Sequence, residues 1–380
     1  MRRTFATVNL SKLIRNYLKI RNFVTPAKVM AVIKADGYGH GAVKVAQTLN
    51  SLGAQKPDYY AVSIFEEALE LRSNGIREPI LLLEPATEQL IIEARKLDIT
   101  ISVCAPEQLP LLKKLHDLPE LAGLKIHLKI DTGMNRLGLR WDEAFPAINS
   151  LVALDRFNWE GIYTHFATAD DTDLSFARTQ LERFTTIIDT AKAQGITFKE
   201  VHASNSSAVF QVPDSHFTMI RPGLLLYGYY PSSAIPEKIN LEPILHVYSE
   251  IETVKVMKKG ESLGYGLTYT ASEDLTIATL PIGYADGYYR LLSDRAKVII
   301  NGKIYPQIGR VSMDRIMINL LHDPIKPGTR VLLLGVEQNV KFDARDWAEL
   351  CYTIPYEVIC LLSKRLPRTY VTDEQGREVE

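Results

Sequence analysis

Residues 29–41 read VMAVIKADGYGHG. An apolar run ends in a single lysine, Lys34, and the chain then passes through glycines at 37, 39 and 41. Taken alone, a lysine ending a buried strand is a cation whose stem stays in apolar surroundings while its amine reaches water. A second reading is a lysine held in a pocket to form an imine, with glycines letting backbone come close to a ligand. The surrounding sequence has to separate the two.

Short apolar runs recur over the first 225 or so residues: VMAVIKA (29–35), YYAVSI (59–64), PILLLE (79–84), ITISVC (99–104), KIHLKID (125–131), WEGIYTHF (159–166), EVHASNS (200–206) and TMIRPG (218–223). Amphipathic helical patterns lie between most of them, and several end in glycine. The link through SAVFQV is the weakest helix of the set. This alternation predicts an α/β fold, with an N-terminal (β/α)8 TIM-type barrel over 10–235. Beyond the proline-bearing connector PSSAIPEKINLEP, the texture turns to β-rich runs with turn signals such as NG at 301–302 and PG at 327–328. It predicts a mostly β C-terminal domain over 236–380, with residues 1–9 packing against it. A barrel places its chemistry where strands end and loops begin, and Lys34, Arg136, His165, Ser206 and Arg221 all fall at or just past predicted strand ends.

Composition narrows the function classes. A formal net charge of −1 and the lack of a basic block give no electrostatic case for nucleic acid. Apolar stretches such as ILLL at 80–83 are far too short to span a membrane, and MRRTFATVNL lacks the apolar core of a secretory signal. Cys104, Cys351 and Cys360 show no metal-ligand spacing and read as free thiols in a reducing compartment, so a cytoplasmic protein without a metal is expected.

Alternation in KIHLKID puts Lys125, His127, Lys129 and Asp131 on one face and the aliphatic residues on the other. Lys129 and Arg136 in one confined site need an anion between them. Asp131 serves, and so does carbamylation of Lys129 by carbon dioxide. HASNSSA in the seventh run and MIRPGLLLYG in the eighth supply Ser206 and the amides of Gly223 and Leu224, the makings of the phosphate cup that barrels often build there. A lysine after strand one and a phosphate cup after strands seven and eight describe a phosphate-bearing aldehyde cofactor held as an imine.

IKADGYGHG resembles the pyridoxal-phosphate lysine motif of the alanine racemase family. The resemblance continues in order through LKIDTGMNRLG, THFATAD, HASNSSA, MIRPG, YGLTYT, LPIGYADG, GRVSMD and TIPYEV, over essentially the whole chain. It implies pyridoxal 5′-phosphate bound to Lys34, which would also be one base, and Tyr265 of a second subunit as the opposite base. It further implies phosphate binding by Tyr38, Ser206, Gly223, Leu224 and Tyr356, and Arg221 facing the pyridine nitrogen. Arg136 and the amide of Met313 from the partner would hold the substrate carboxylate or the cofactor's phenolic oxygen. Lys129 would be the carbamylated lysine, and His165 would hydrogen-bond Tyr265. Tyr284 and Arg290 would line the approach, with Asp170 near it and Asp314 a neighbour of the site.

The expected activity is interconversion of L- and D-alanine in a homodimer with shared sites, supplying D-alanine for peptidoglycan. Two bases on opposite faces are the simplest racemisation device. Arginine at the ring nitrogen does not surrender its proton, so the pyridine stays neutral and acts as a weaker electron sink. Some positions depart from the family pattern: Ser204, Asn135, Pro222 and Ser312. Ser204 and Ser207 leave two other hydroxyls competing with Ser206. The alternatives are a racemase of serine or broader specificity, a barrel-type pyridoxal-phosphate decarboxylase, and a non-catalytic carrier of the cofactor. MIRPG weighs against the decarboxylase, which usually sets an acid against the ring nitrogen. Tyr265 and its domain weigh against the carrier.

Overall fold

Runs rich in valine, isoleucine and leucine form strands wherever both faces can be covered, and eight of them here form a parallel ring. In the computed structural model they are β1 (Lys28–Val32), β2 (Tyr59–Val62), β3 (Ile80–Pro85), β4 (Ile99–Val103), β5 (Lys125–Asp131), β6 (Asn158–Tyr163), β7 (Glu200–His202) and β8 (Met219–Ile220). The structure describes residues 2–372, so positions 373–380 of the predicted second domain lie outside the described residues. Each strand pairs in parallel with the next from β1 to β7, and β8 pairs with β1. Between β7 and β8 the ring is completed by hydrogen bonds from Thr218 N to Val201 O (3.1 Å) and from Arg221 N to Ser204 O (2.9 Å). This is the predicted barrel.

Six of its strands end earlier than the predicted runs, whereas β5 ends at Asp131 as predicted and β3 runs on to Pro85. β1 stops at Val32, so Lys34 lies beyond the strand and not on it, and β6 stops at Tyr163, which leaves His165 in the following loop. β7 and β8 are brief because HASNSSA and RPG turn away to build the rim. A helix over Ala144–Val152 joins β5 to β6, and SAVFQV contributes only the four-residue helix Ala208–Gln211.

Close packing inside the ring has one sharp requirement. His127 of β5 lies opposite Gly161 of β6. A Cβ on Gly161 would stand 2.7 Å from three atoms of the His127 ring. Only glycine leaves room for an imidazole there.

The barrel unit comprises residues 14–37 and 41–241, and a second unit comprises the residues up to Leu13, Tyr38–His40 and those from Glu242 onward. The second unit is built on a mixed, mostly antiparallel sheet, in which the strand Phe5–Asn9 pairs with Leu245–Glu250 on one side and Arg368–Val371 on the other. Lys297–Ile300 and Lys303–Ile308 form the hairpin marked by NG, and Asn301 and Gly302 take the two positive φ values (52° and 77°) that its tight turn requires. Among the described residues, no helix is long and apolar enough to cross a membrane.

Gly161→Ala should destabilise the protein by roughly 1–3 kcal/mol, because the new methyl must displace a packed ring. A lowered thermal midpoint measures this; an unchanged midpoint would contradict the packing described.

Candidate active site at the C-terminal ends of the barrel strands

Lys34 opens a turn of unusual hand. Ala35, Asp36, Gly37, Tyr38 and Gly39 have φ of 52°, 52°, 60°, 54° and 78°, so the segment expected as a flexible loop is a left-handed helical turn. For an L-residue this conformation costs on the order of 1–2 kcal/mol, incurred here at Ala35, Asp36 and Tyr38. Hydrogen bonds offset the strain. Gly37 N donates to Ile33 O (2.8 Å), and Ala35 N donates to Glu67 Oε1 (2.5 Å). The Asp36 carboxylate accepts from Ala42 N (2.9 Å), opening the helix Ala42–Asn50. Such over-determined strain is characteristic of functional sites.

Arg221, just past β8, is buried in the barrel and arranged by acceptors. Its Nη2 donates to the carbonyls of Thr164 (2.6 Å) and Ala203 (3.1 Å) and to His165 Nδ1 (3.3 Å), and its Nη1 to His202 Nδ1 (2.9 Å). Among the described residues no carboxylate pairs with it. Burial brings its pKa down to about 10, which still leaves it charged at neutral pH. A guanidinium has no lone pair to offer, so His165 Nδ1 is the acceptor and the neutral ring carries its hydrogen on Nε2. Burial, followed by the cations of Arg221, Lys129, Arg136 and Lys34, holds His165 well below the usual histidine range. His165 is therefore an uncharged donor.

Lys129 is buried on β5, with its amine 5.7 Å from the centroid of the Tyr163 ring. Burial, and next the charge of Arg136, lower its pKa to about 8. Asp131 makes no direct ion pair with Lys129 or Arg136 among the described residues, although its charge favours the protonated form of Lys129. One of its oxygens accepts from Gly133 N (2.9 Å) and Asn135 N (3.1 Å), the other from Arg136 N (3.2 Å), so the carboxylate shapes the loop that carries Arg136. Arg136 itself is exposed.

After β7 the competing hydroxyls separate. Ser204 Oγ lies 2.5 Å from Ser215 Oγ, and Ser215 donates on to Val212 O. Ser206 Oγ instead accepts from Gly223 N at 2.9 Å, ahead of the turn Leu224–Tyr227. The barrel unit thus gathers Lys34, Lys129, Arg136, His165, Ser206, Arg221, Gly223 and Leu224 at or beyond the C-terminal ends of its strands.

The remaining residues belong to the second unit. Tyr38 and Tyr356 meet there, with ring centroids 6.0 Å apart. Tyr265 sits in a turn between Gly264 (φ 69°) and Gly266 (φ 74°) and is 72% exposed; Met313 is 52% exposed, and Tyr284 is also exposed. His127, His202, Glu67 and Asp36 support the barrel residues and were not singled out by sequence. Alternation did place His127 on the same face as Lys129.

The fold and these side chains define a barrel enzyme with an amine, the Ser206–Gly223 loop pair and a buried guanidinium at one mouth. The family model "Alanine racemase, N-terminal domain" matches residues 8–231, and "Alanine racemase, C-terminal domain" matches 244–370. The alanine racemase of Carboxydothermus hydrogenoformans is 39% identical over 380 residues, covering 98% of this chain and 100% of that one. The crystal structure of the Bacillus anthracis alanine racemase with bound L-Ala-P superposes with a TM-score of 0.91 at 34% identity, covering 100% of this chain and 97% of that one. The Clostridium difficile alanine racemase in complex with cycloserine gives 0.88 at 34% identity, covering 100% and 98%. The chain belongs to the alanine racemase family.

The depressed pKa of Lys129 has a consequence for stability. The unfolded chain holds this proton more tightly than the native state, so burying the charge costs roughly 3 kcal/mol below pH 8, and the cost fades as pH rises from about 8 to 10.5. In buffer free of carbon dioxide, wild-type stability should therefore rise relative to Lys129→Met by roughly 2 kcal/mol between about pH 7.5 and 9.5. Parallel denaturation curves across that range would rule out the depressed amine.

Proposed function

We propose that the protein is an isomerase that interconverts L-alanine and D-alanine, using pyridoxal 5′-phosphate and two bases on opposite faces of the substrate Cα. The barrel residues suit that cofactor chemically. Lys34 offers an amine for its carbonyl, Ser206 and the amide of Leu224 offer donors for its phosphate beside Gly223, whose N–H donates to Ser206 Oγ, and Arg221 offers a permanent cation for its ring nitrogen. When bound, the cofactor supplies an electron-accepting ring that acidifies the substrate Cα–H.

The observation that carries the reading is Arg221, a buried guanidinium held by carbonyls and imidazoles where a decarboxylase of this architecture would set an acid. A group that keeps its proton tempers the ring's electron demand, which suits simple proton exchange and discourages side reactions. Lys34 takes or returns the proton on one face. Tyr265 of the partner subunit acts on the other, and the exposure of Tyr265 and Met313 favours their serving a second chain in a homodimer. His165 presents its Nε2–H as a hydrogen bond to that tyrosine. Arg136 and the partner subunit's Met313 amide bind the substrate carboxylate or the cofactor's phenolic oxygen.

Carbamylation of Lys129 fits the same site. A pKa of about 8 leaves a larger neutral, nucleophilic share of amine at physiological pH than an exposed lysine has, and the product anion would lie between cations, near Arg136. Cytoplasmic supply of D-alanine for peptidoglycan is the corresponding cellular role.

With L-alanine in deuterated water, the protein should lose optical rotation as deuterium enters at Cα. Carbon dioxide release would indicate a decarboxylase, and no turnover a carrier. Lys34→Ala and Tyr265→Phe should each reduce racemisation at least a thousandfold, on the order expected for loss of a positioned acid–base group. Mixing the two variants should restore activity through hybrid dimers, and no recovery despite proven subunit exchange would rule out a shared site.

A further inference from the structure

Arg221 is one end of a hydrogen-bonded chain that runs down the inside of the barrel, away from the rim. Its Nη1 donates to His202 Nδ1, so His202 carries its hydrogen on Nε2. That Nε2 lies 2.9 Å from His127 Nδ1, which must then accept. His127 in turn carries its hydrogen on Nε2, a buried atom with no hydrogen-bond partner and 3.9 Å from Glu160 Oε2. Burial holds both imidazoles below the usual histidine range, so each keeps a single hydrogen. One proton arrangement matches donor to acceptor at every contact from Arg221 to His127 Nδ1.

Glu160 is the third residue of β6 and lies towards the N-terminal end of the barrel, opposite the rim that carries Lys34. It is buried, and its oxygens accept from the Tyr59 hydroxyl and from Lys199 Nζ (3.2 Å). Buried Glu200, paired with Lys28, lies beside it. The His127 ring is fixed between this carboxylate and the bare face of Gly161, and the His202 ring stacks on Tyr163 at 4.8 Å.

We propose that Glu160 is a positioning residue for the active site: a carboxylate at the far mouth of the barrel that, through His127 and His202, serves as the remote counter-charge of Arg221 and fixes the tautomers that accept its Nη1 hydrogen. The negative end of the chain favours the Nε2–H form of His127, which leaves His127 Nδ1 free to accept from His202 and His202 Nδ1 free to accept from Arg221. A His127 carrying hydrogen on Nδ1 would reverse His202 and set N–H against N–H at Arg221. The effect on rate rests on the proposed role of Arg221 at the cofactor; the proton arrangement does not.

The test is nitrogen NMR of the holoenzyme with 15N-labelled histidine, beside steady-state kinetics. In the wild type, His127 and His202 should both show protonated Nε2 and unprotonated Nδ1. Glu160→Gln should mix the His127 tautomers and lower kcat roughly fivefold with KM changed less than about twofold. Glu160→Asp should recover the wild-type nitrogen pattern at least in part, and Tyr59→Phe, which leaves the carboxylate charged, should preserve it. A wild-type His127 protonated on Nδ1, or a Glu160→Gln protein with wild-type nitrogen shifts and kcat, would overturn the proposal. If Glu160→Gln fails to fold, the wild-type and Glu160→Asp spectra decide. A protein with the expected tautomers but no racemisation would instead refute the proposed function.

Discussion

A guanidinium without an adjacent carboxylate is an expensive group to bury, and the barrel is organised around that cost. Arg221 retains its charge because its donors are met by the carbonyls of Thr164 and Ala203 and by two imidazoles that accept. Those acceptors come from the ends of β6 and β7, so the positions of two loops and the hydrogen on His165 follow from where the arginine points. A lysine in the same place would lack the planar fork needed to fix several partners at once.

The left-handed turn after β1 poses a complementary problem, solved by carboxylates. Glu67 accepts from Ala35 N with one oxygen and from Ser63 N (2.7 Å) with the other, while Glu84 accepts from Phe65 N (2.8 Å). Side chains from the helix that follows β2 and from β3 itself thus take up amides of the turns around that helix's start and after β1. Asp131 does the same within its own loop. The carboxylates of Glu67, Glu84 and Asp131 are thus each bonded to backbone amides of the loops that shape the rim.

Much of this was readable from sequence. The eight runs, the polar face of KIHLKID and the NG hairpin each rest on local chemistry: apolar runs, period-two alternation and a turn that requires positive φ. What was hidden is non-local. Nothing in KADGYG announces that Ala35, Asp36 and Tyr38 adopt the left-handed form, because the bonds that stabilise it come partly from Glu67. The helix Ala144–Val152 was obscured by Pro146, tolerated because it falls in the first turn. His202 stood at the head of HASNSSA, where the hydroxyls drew the eye. Ser204 and Ser206 became distinguishable only when Ser215 and Gly223 came beside them.

The clamp on Ala35 also bears on how Lys34 explores space. With Gly37 N bonded to Ile33 O and Ala35 N to Glu67, the main chain on the C-terminal side of Lys34 has little torsional slack. The side chain of Lys34 is therefore carried on a fixed pivot, and its rotamer decides where the amine lies. Alignment of the lysine with a bound molecule is then a matter of rotamer choice, without a hinge having to close first.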